Sequence, residues 1–301
     1  MKPPLLLIGH GSHDDAGVAE FGRFVHRLRC RLDRSAADVT GGYLENSRPG
    51  LRDSIASLVA RGHHRVVALP LGLAGESRIA AETSEALARE QERQPTLAYE
   101  MCPPLGPDPA VLALLAERLA DASVDMPRPT LRSRPLVSVG DAPRLRVVGS
   151  PAEPPQLRAV PALNELDGHE RIDPADTAVV LVGEGATDPV ANAEIHRVSR
   201  LFWETQAYDL LTVETAFVSL TPPGVAGGLE RCRRLGAKRV IIVPYLLFAG
   251  STLERVWAQA LAYGAGHPDL DIRCAEAIGD CEALADIVID RYQRALLAAA
   301  E

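Results

Sequence analysis

"LLLIGHGSHDD", residues 5–15, passes from an unbroken apolar run into a histidine flanked by two glycines. "VVLVGEGATDP", residues 179–189, has the same layout with glutamate in the histidine's place. A short apolar run bounded by glycine fits a strand buried on both faces, and the glycines let the chain turn sharply at its tip. Further strand-like runs follow the first stretch: "DVTGGYLE", "RVVALPLGL" and "TLAYEMC". Helical patterns separate them: "VAEFGRFVHRLRCRL", "GLRDSIASLVARG", "IAAETSEALAREQER" and "DPAVLALLAERLAD". Short strands alternating with helices of roughly 10–15 residues predict βαβ units and a parallel sheet.

The second half repeats that order. Its strand candidates are "AVVLVG", "LLTVETAFV", "RVIIVPYLLF" and "LDIRCAE", with helices at "NAEIHRVSRLFWE", "VAGGLERCRRLG", "TLERVWAQALAYG" and "EALADIVIDRYQRALL". At one near-constant offset His10 pairs with Glu184, Pro49 with Pro223 and Pro70 with Pro244. A repeat this long is not a solenoid unit; it predicts two similar α/β lobes facing one another across a cleft, each a parallel sheet of about four strands flanked by helices. The expected lobes span residues 1–122 and 175–301. Residues 123–174 break the pattern with a proline- and arginine-rich stretch holding two small β-like runs, "LVSV" and "LRVV", and read as a linker or a cleft-covering insertion.

The chain has 301 residues, enough for two domains with their own cores, and 47% of them are apolar against 24% charged. A formal net charge of −8 argues against nucleic acid or an anionic membrane as partner. No apolar run approaches the roughly 18 residues that span a bilayer, and "MKPPLLLIGHGS" is too short in its apolar part for a signal peptide. Five cysteines without Cys-x-x-Cys spacing indicate neither a disulfide frame nor a zinc knuckle, so the expectation is a cytoplasmic protein with reduced thiols. No oligomeric state follows from the sequence.

Ligands of parallel α/β sheets gather outside the carboxyl ends of the strands. Four segments fall there: His10-Gly11-Ser12, Glu45-Asn46-Ser47, residues 75–82, and Glu184 with Thr187 and Asp188. His10 is a ligand candidate or a capped loop residue, and Ser12 or Asp14 suits the cap of the next helix. Glu45 ends an apolar strand, where a carboxylate is costly without a partner. His63 and His64 sit in a turn-like "RGHHR" and read as solvated. "GHGSHD" lacks the third glycine of a dinucleotide fingerprint and is no Walker loop, so no nucleotide is expected.

Taken together, "LLLIGHGSHDDAGVAEF", "GGYLENSRPGLRDSIASLVARG", "VVALPLGL" and "PPLGPDPAVLALLAERL" resemble the N-terminal half of the sirohydrochlorin chelatases of the cobalt-chelatase type. "LVGEGATDPVANAEIHRVSRLFWE" and "VETAFVSLTPPGVAGGLERCRRLGAKRVIIVPYLLFAGSTLERV" resemble the C-terminal half of their two-domain form. The resemblance covers nearly everything outside the central stretch. It implies a class II chelatase, with two α/β lobes enclosing a cleft where a divalent metal, Co²⁺ or Fe²⁺, enters sirohydrochlorin without ATP, serving cobalamin or sirohaem. The tetrapyrrole is the implied small-molecule partner. Imidazole and carboxylate suit a borderline divalent ion, and a base must accept the pyrrole protons as the metal enters.

His10 matches the family's first histidine, and Glu45 its acidic residue after the second strand, the implied proton acceptor. The family's second histidine is missing from "PLGLAGESRIAAE". Ungapped counting from Pro70 places Arg78 there and Glu82 at the following acidic position; alignment on Ala-Gly places Glu76 instead. The second half offers Thr252. Arginine cannot ligate a metal but binds carboxylates, of which sirohydrochlorin has several. The expected site is therefore His10 and Glu45 for catalysis, His10 with Glu76 and Glu82 for the metal, and Ser12, Arg78 and Glu184 for the substrate. Two other readings stand beside it: a chelatase-derived protein that holds a tetrapyrrole or metal without catalysis, and an enzyme repurposed for another anionic substrate.

Overall fold

A computed structural model describes residues 2–11, 14–33, 38–73, 76–124 and 172–298, with the backbone alone at 76–78. The first half runs β1 (Leu5–Gly9), α1 (Asp15–Leu32), β2 (Val39–Tyr43), α2 (Leu51–Ala60), β3 (Arg65–Pro70), α3 (Glu76–Arg93), β4 (Ala98–Met101) and α4 (Pro109–Ser123). A single 3₁₀ turn, Pro174–Asp176, leads into the second half. That half runs β5 (Thr177–Gly183), α5 (Pro189–Gln206), β6 (Thr212–Phe217), α6 (Val225–Arg234), β7 (Arg239–Pro244), α7 (Ser251–Ala265), β8 (Asp271–Cys274) and α8 (Glu282–Ala298). The runs "LVSV" and "LRVV" lie outside the described residues.

Two four-stranded sheets result, ordered β2-β1-β3-β4 and β6-β5-β7-β8, with every pair parallel. The expected fold class is the observed one. Side chains alternate across each strand, so Leu5 and Leu7 join Phe21, Phe24 and Leu28 of α1, while Leu6 and Ile8 join Leu51, Ile55 and Leu58 of α2 on the opposite face. Burial on both faces explains the unbroken apolar runs. In each sheet the winding reverses between the first strand and its two neighbours, which opens a crevice at the carboxyl ends of β1 and β3, and of β5 and β7.

The halves are more entangled than their sequence order implies. Helix α4 packs on β7 and β8 of the second sheet, and α8 packs on β3 and α1 of the first. Among the described residues no further strand of its own sheet follows either helix, so no crossover ties it there. The exchange is held by a continuous apolar core containing Leu114 and Leu115 of α4 and Ala285 and Val288 of α8. Its polar clasp is Arg291, whose guanidinium donates to the carbonyls of Pro103 (2.9 Å) and Leu105 (2.8 Å) and to Asp108 (3.1 Å). Tyr292 donates to the Pro3 carbonyl at 2.6 Å, and Arg118 of α4 to that of Ile278 at 2.8 Å.

Both strand-tip loops require glycine. Gly11 has φ +123°, and a Cβ there would lie 2.0 Å from the Glu45 carbonyl oxygen; Gly185 has φ +89° and would meet the Ser219 carbonyl at 2.0 Å. Gly11→Ala is expected to destabilise the protein by about 3 kcal/mol through strain and clash together. Gly22→Ala, in α1 with nothing within 4 Å of the new methyl, should stabilise it by about 0.5–1 kcal/mol. Urea unfolding of both variants checks this; a Gly11→Ala protein as stable as the parent would contradict the loop geometry.

Candidate functional site

The tip of β1 is fastened to the segment after β2. Leu44 N–H donates to the Gly9 carbonyl and Glu45 N–H to the His10 carbonyl, both at 3.0 Å. The duplicate repeats this: Val218 donates to Gly183 at 2.9 Å and Ser219 to Glu184 at 3.2 Å. Asn46 and Leu220 occupy matching left-handed positions, with φ of 57° and 66°. Asp14 caps α1 through Ala16 N–H at 2.9 Å, and Asp188 caps α5 through Val190 N–H at 2.9 Å.

His10 and Glu184, equivalent in the two halves, line one cleft of about 250 Å³. The first half contributes Gly9, Gly11, Gly17, Phe21, Tyr43 and Leu71 to its walls, and the second contributes the stretch from Leu246 to Thr252. Three rings give one wall its character: Phe21 lies 4.7 Å from Tyr43 and 6.1 Å, edge-on, from Phe248. Such a surface suits a flat, largely apolar ligand. The loop carrying Phe248 is pinned by two carboxylates of the first half. Glu20 accepts from Ala249 N–H at 2.6 Å and from Asp280 N–H at 3.2 Å, and Asp14 accepts from Ser251 N–H. Tyr245 adds a bond of 2.9 Å to the Leu73 carbonyl.

The His10 ring is 47% exposed, and its Nδ1 stands 3.9 Å from a Glu82 oxygen, beyond hydrogen-bond length. Glu45 is placed beside His10 by its backbone, while its side chain is exposed and outside the residues that wall the cleft. Ser12 and the side chains of Glu76 and Arg78 lie outside the described residues. Among the described residues no three His, Cys, Asp or Glu side chains form a metal-holding group. No disulfide joins the five cysteines, and no described helix is long and apolar enough to cross a membrane.

The sequence reading picked out Thr252 but missed the rest of the second-half wall, Leu246 to Ser251, and the aromatic residues Phe21, Tyr43 and Phe248. Tyr43 was legible as a difference between the repeats, since the matching residue is Phe217. Burial pushes the Tyr43 phenol up to about 12. A second hollow, of about 230 Å³, lies along β6 between His196, Trp203, Glu214 and Arg231. It flanks the sheet's side rather than its carboxyl ends, and its buried hydroxyls are mutually satisfied through Thr215 and Ser199 at 2.8 Å.

The CbiX family model matches residues 4–122 and 178–295. The chain is 29% identical over 294 residues to the sirohydrochlorin cobaltochelatase of Priestia megaterium, covering 97% of this chain and 79% of that one. To the sirohydrochlorin ferrochelatase of the same organism it is 22% identical over 252 residues, covering 84% and 76%. Its fold is similar to that of SirB from Bacillus subtilis with Fe³⁺, with a TM-score of 0.70 at 19% identity, covering 100% of this chain and 98% of that one.

Proposed function

This chain belongs to the CbiX family, and from that premise we propose that it inserts a divalent metal, Co²⁺ or Fe²⁺, into sirohydrochlorin or a close relative without a nucleotide, in the cytoplasm. The observation that carries the reading is the cleft itself: an imidazole at the tip of β1 and a carboxylate at the tip of β5 face a wall of aromatic rings. A tetrapyrrole needs that combination, a flat apolar surface for the macrocycle and donor groups at its centre.

Insertion exchanges one divalent cation for the two protons on the inner pyrrole nitrogens. Neutral imidazole of His10 supplies a nitrogen lone pair to the incoming metal, and Glu76 and Glu82 are its oxygen donors. Glu45 is the acceptor for a pyrrole proton, and its exposed side chain passes that proton to water. Ser12, Arg78 and Glu184 contact the substrate, and the arginine pairs with one of its carboxylates. One imidazole where the related motif has two shifts the metal preference toward oxygen ligation.

That missing histidine is also what favours a second reading, a protein that holds tetrapyrrole or metal without turnover. Binding tests the substrate class. Titration with metal-free sirohydrochlorin, followed by its absorbance, should saturate, and Co²⁺ should bind separately by isothermal titration. A protein that binds neither is a repurposed enzyme, and the chelatase reading is then wrong.

A further inference from the structure

One residue of the cleft wall carries a polar atom for which the described residues offer no partner. Tyr43 is 4% exposed and lines the cleft, and its hydroxyl is buried without a hydrogen-bond partner among the described residues. Buried hydroxyls are normally satisfied, and leaving one orphaned costs free energy. The ring is not misplaced. It packs on Phe21, and it leaves so little room beside Gly9 that a Cβ there would come within 3.0 Å of Tyr43 Cδ1.

The duplicated half shows what the fold requires at this position. Phe217 is the equivalent residue, 1% exposed, and it makes the same β-bridge to Gly224 that Tyr43 makes to Gly50. An aromatic ring is therefore sufficient for the sheet and its core. The hydroxyl is additional, and it occurs in the half that carries the imidazole. Tyr43 and His10 also lie close in the fold, since Gly9, immediately before His10, pairs in register with Tyr43.

We propose that the Tyr43 hydroxyl donates a hydrogen bond to a carboxylate oxygen of the bound ligand, and so helps to fix an acidic macrocycle over His10. The inference rests on the tetrapyrrole reading above. A phenol in this setting stays protonated and is a donor throughout the neutral range. Phe21, Leu71, Leu247 and Phe248 line the same cleft as Tyr43, and an apolar surround strengthens a bond to an anion. Tyr43 is thus a positioning residue, with no proton to give up in the reaction.

Tyr43→Phe tests it, because Phe217 shows that the fold accepts the ring alone. Unfolding in urea without ligand should show stability equal to or above that of the parent. The dissociation constant for metal-free sirohydrochlorin should rise about tenfold, the usual effect of one lost bond to a charged acceptor, while Co²⁺ affinity is unchanged. Parent-like sirohydrochlorin binding by the variant would overturn the proposal, and so would lower stability with unchanged binding, which marks a structural hydroxyl. Failure of the parent protein itself to bind sirohydrochlorin would overturn the substrate reading and this proposal together.

Discussion

Replacing His10 by alanine is expected to slow metal insertion by about 100- to 1,000-fold and to weaken Co²⁺ binding to a similar degree. The ring is half exposed and, among the described residues, makes no hydrogen bond that supports the core, so urea unfolding should be unchanged. Among the described residues that wall the cleft it is the one imidazole, and its duplicate is a carboxylate. A carboxylate in its place would bind cobalt or iron through oxygen, at a cost in the nitrogen preference that imidazole provides. His10→Gln, which keeps the volume but not the imidazole, should match alanine. Initial rates by absorbance and isothermal titration with Co²⁺ check both effects. A variant with the parent's rate would remove His10 from the metal's path.

Glu45→Gln is expected to lower the insertion rate by about 100- to 10,000-fold, the range for loss of a general base. Its backbone bond to the His10 carbonyl involves the Glu45 N–H and survives the substitution, so the loop should hold its shape. Co²⁺ affinity should then stay within about twofold of the parent's, which separates proton transfer from ligation. Added formate should restore part of the rate by accepting the proton in place of the lost carboxylate. An unchanged rate, or a loss of rate matched by an equal loss of Co²⁺ affinity, would contradict the role.

Much of the fold was legible because a parallel strand buried on both faces leaves an unbroken apolar run, and "LLLIG" and "AVVLVG" are such runs. The paired glycines at 11 and 185 and the prolines at 49 and 223 made the duplication readable. The exchange of α4 and α8 was not. The pattern of α4 says that Val111, Leu114 and Leu115 are buried, but amphipathicity does not say against which sheet. Of the site, His10 and Glu184 were legible as equivalent strand tips, and the structure places both in one cleft. The wall from Leu246 to Ser251 was hidden because "LLFAGS" carries little polar signal. Its placement depends on Asp14 and Glu20, remote in sequence, accepting its backbone N–H groups. Tyr43 differs visibly from its repeat partner Phe217, but an aromatic residue ending a strand reads as core, so the difference gave no pointer to the cleft.

The most direct measurement is the initial rate of metal insertion into sirohydrochlorin by the purified protein, without nucleotide, with Co²⁺ and with Fe²⁺, against the spontaneous rate. The cleft geometry predicts saturable turnover above the spontaneous rate with at least one of the two metals, and its loss in His10→Ala. Sirohydrochlorin that binds yet gains metal no faster than in free solution would contradict it, and would identify a holding protein instead.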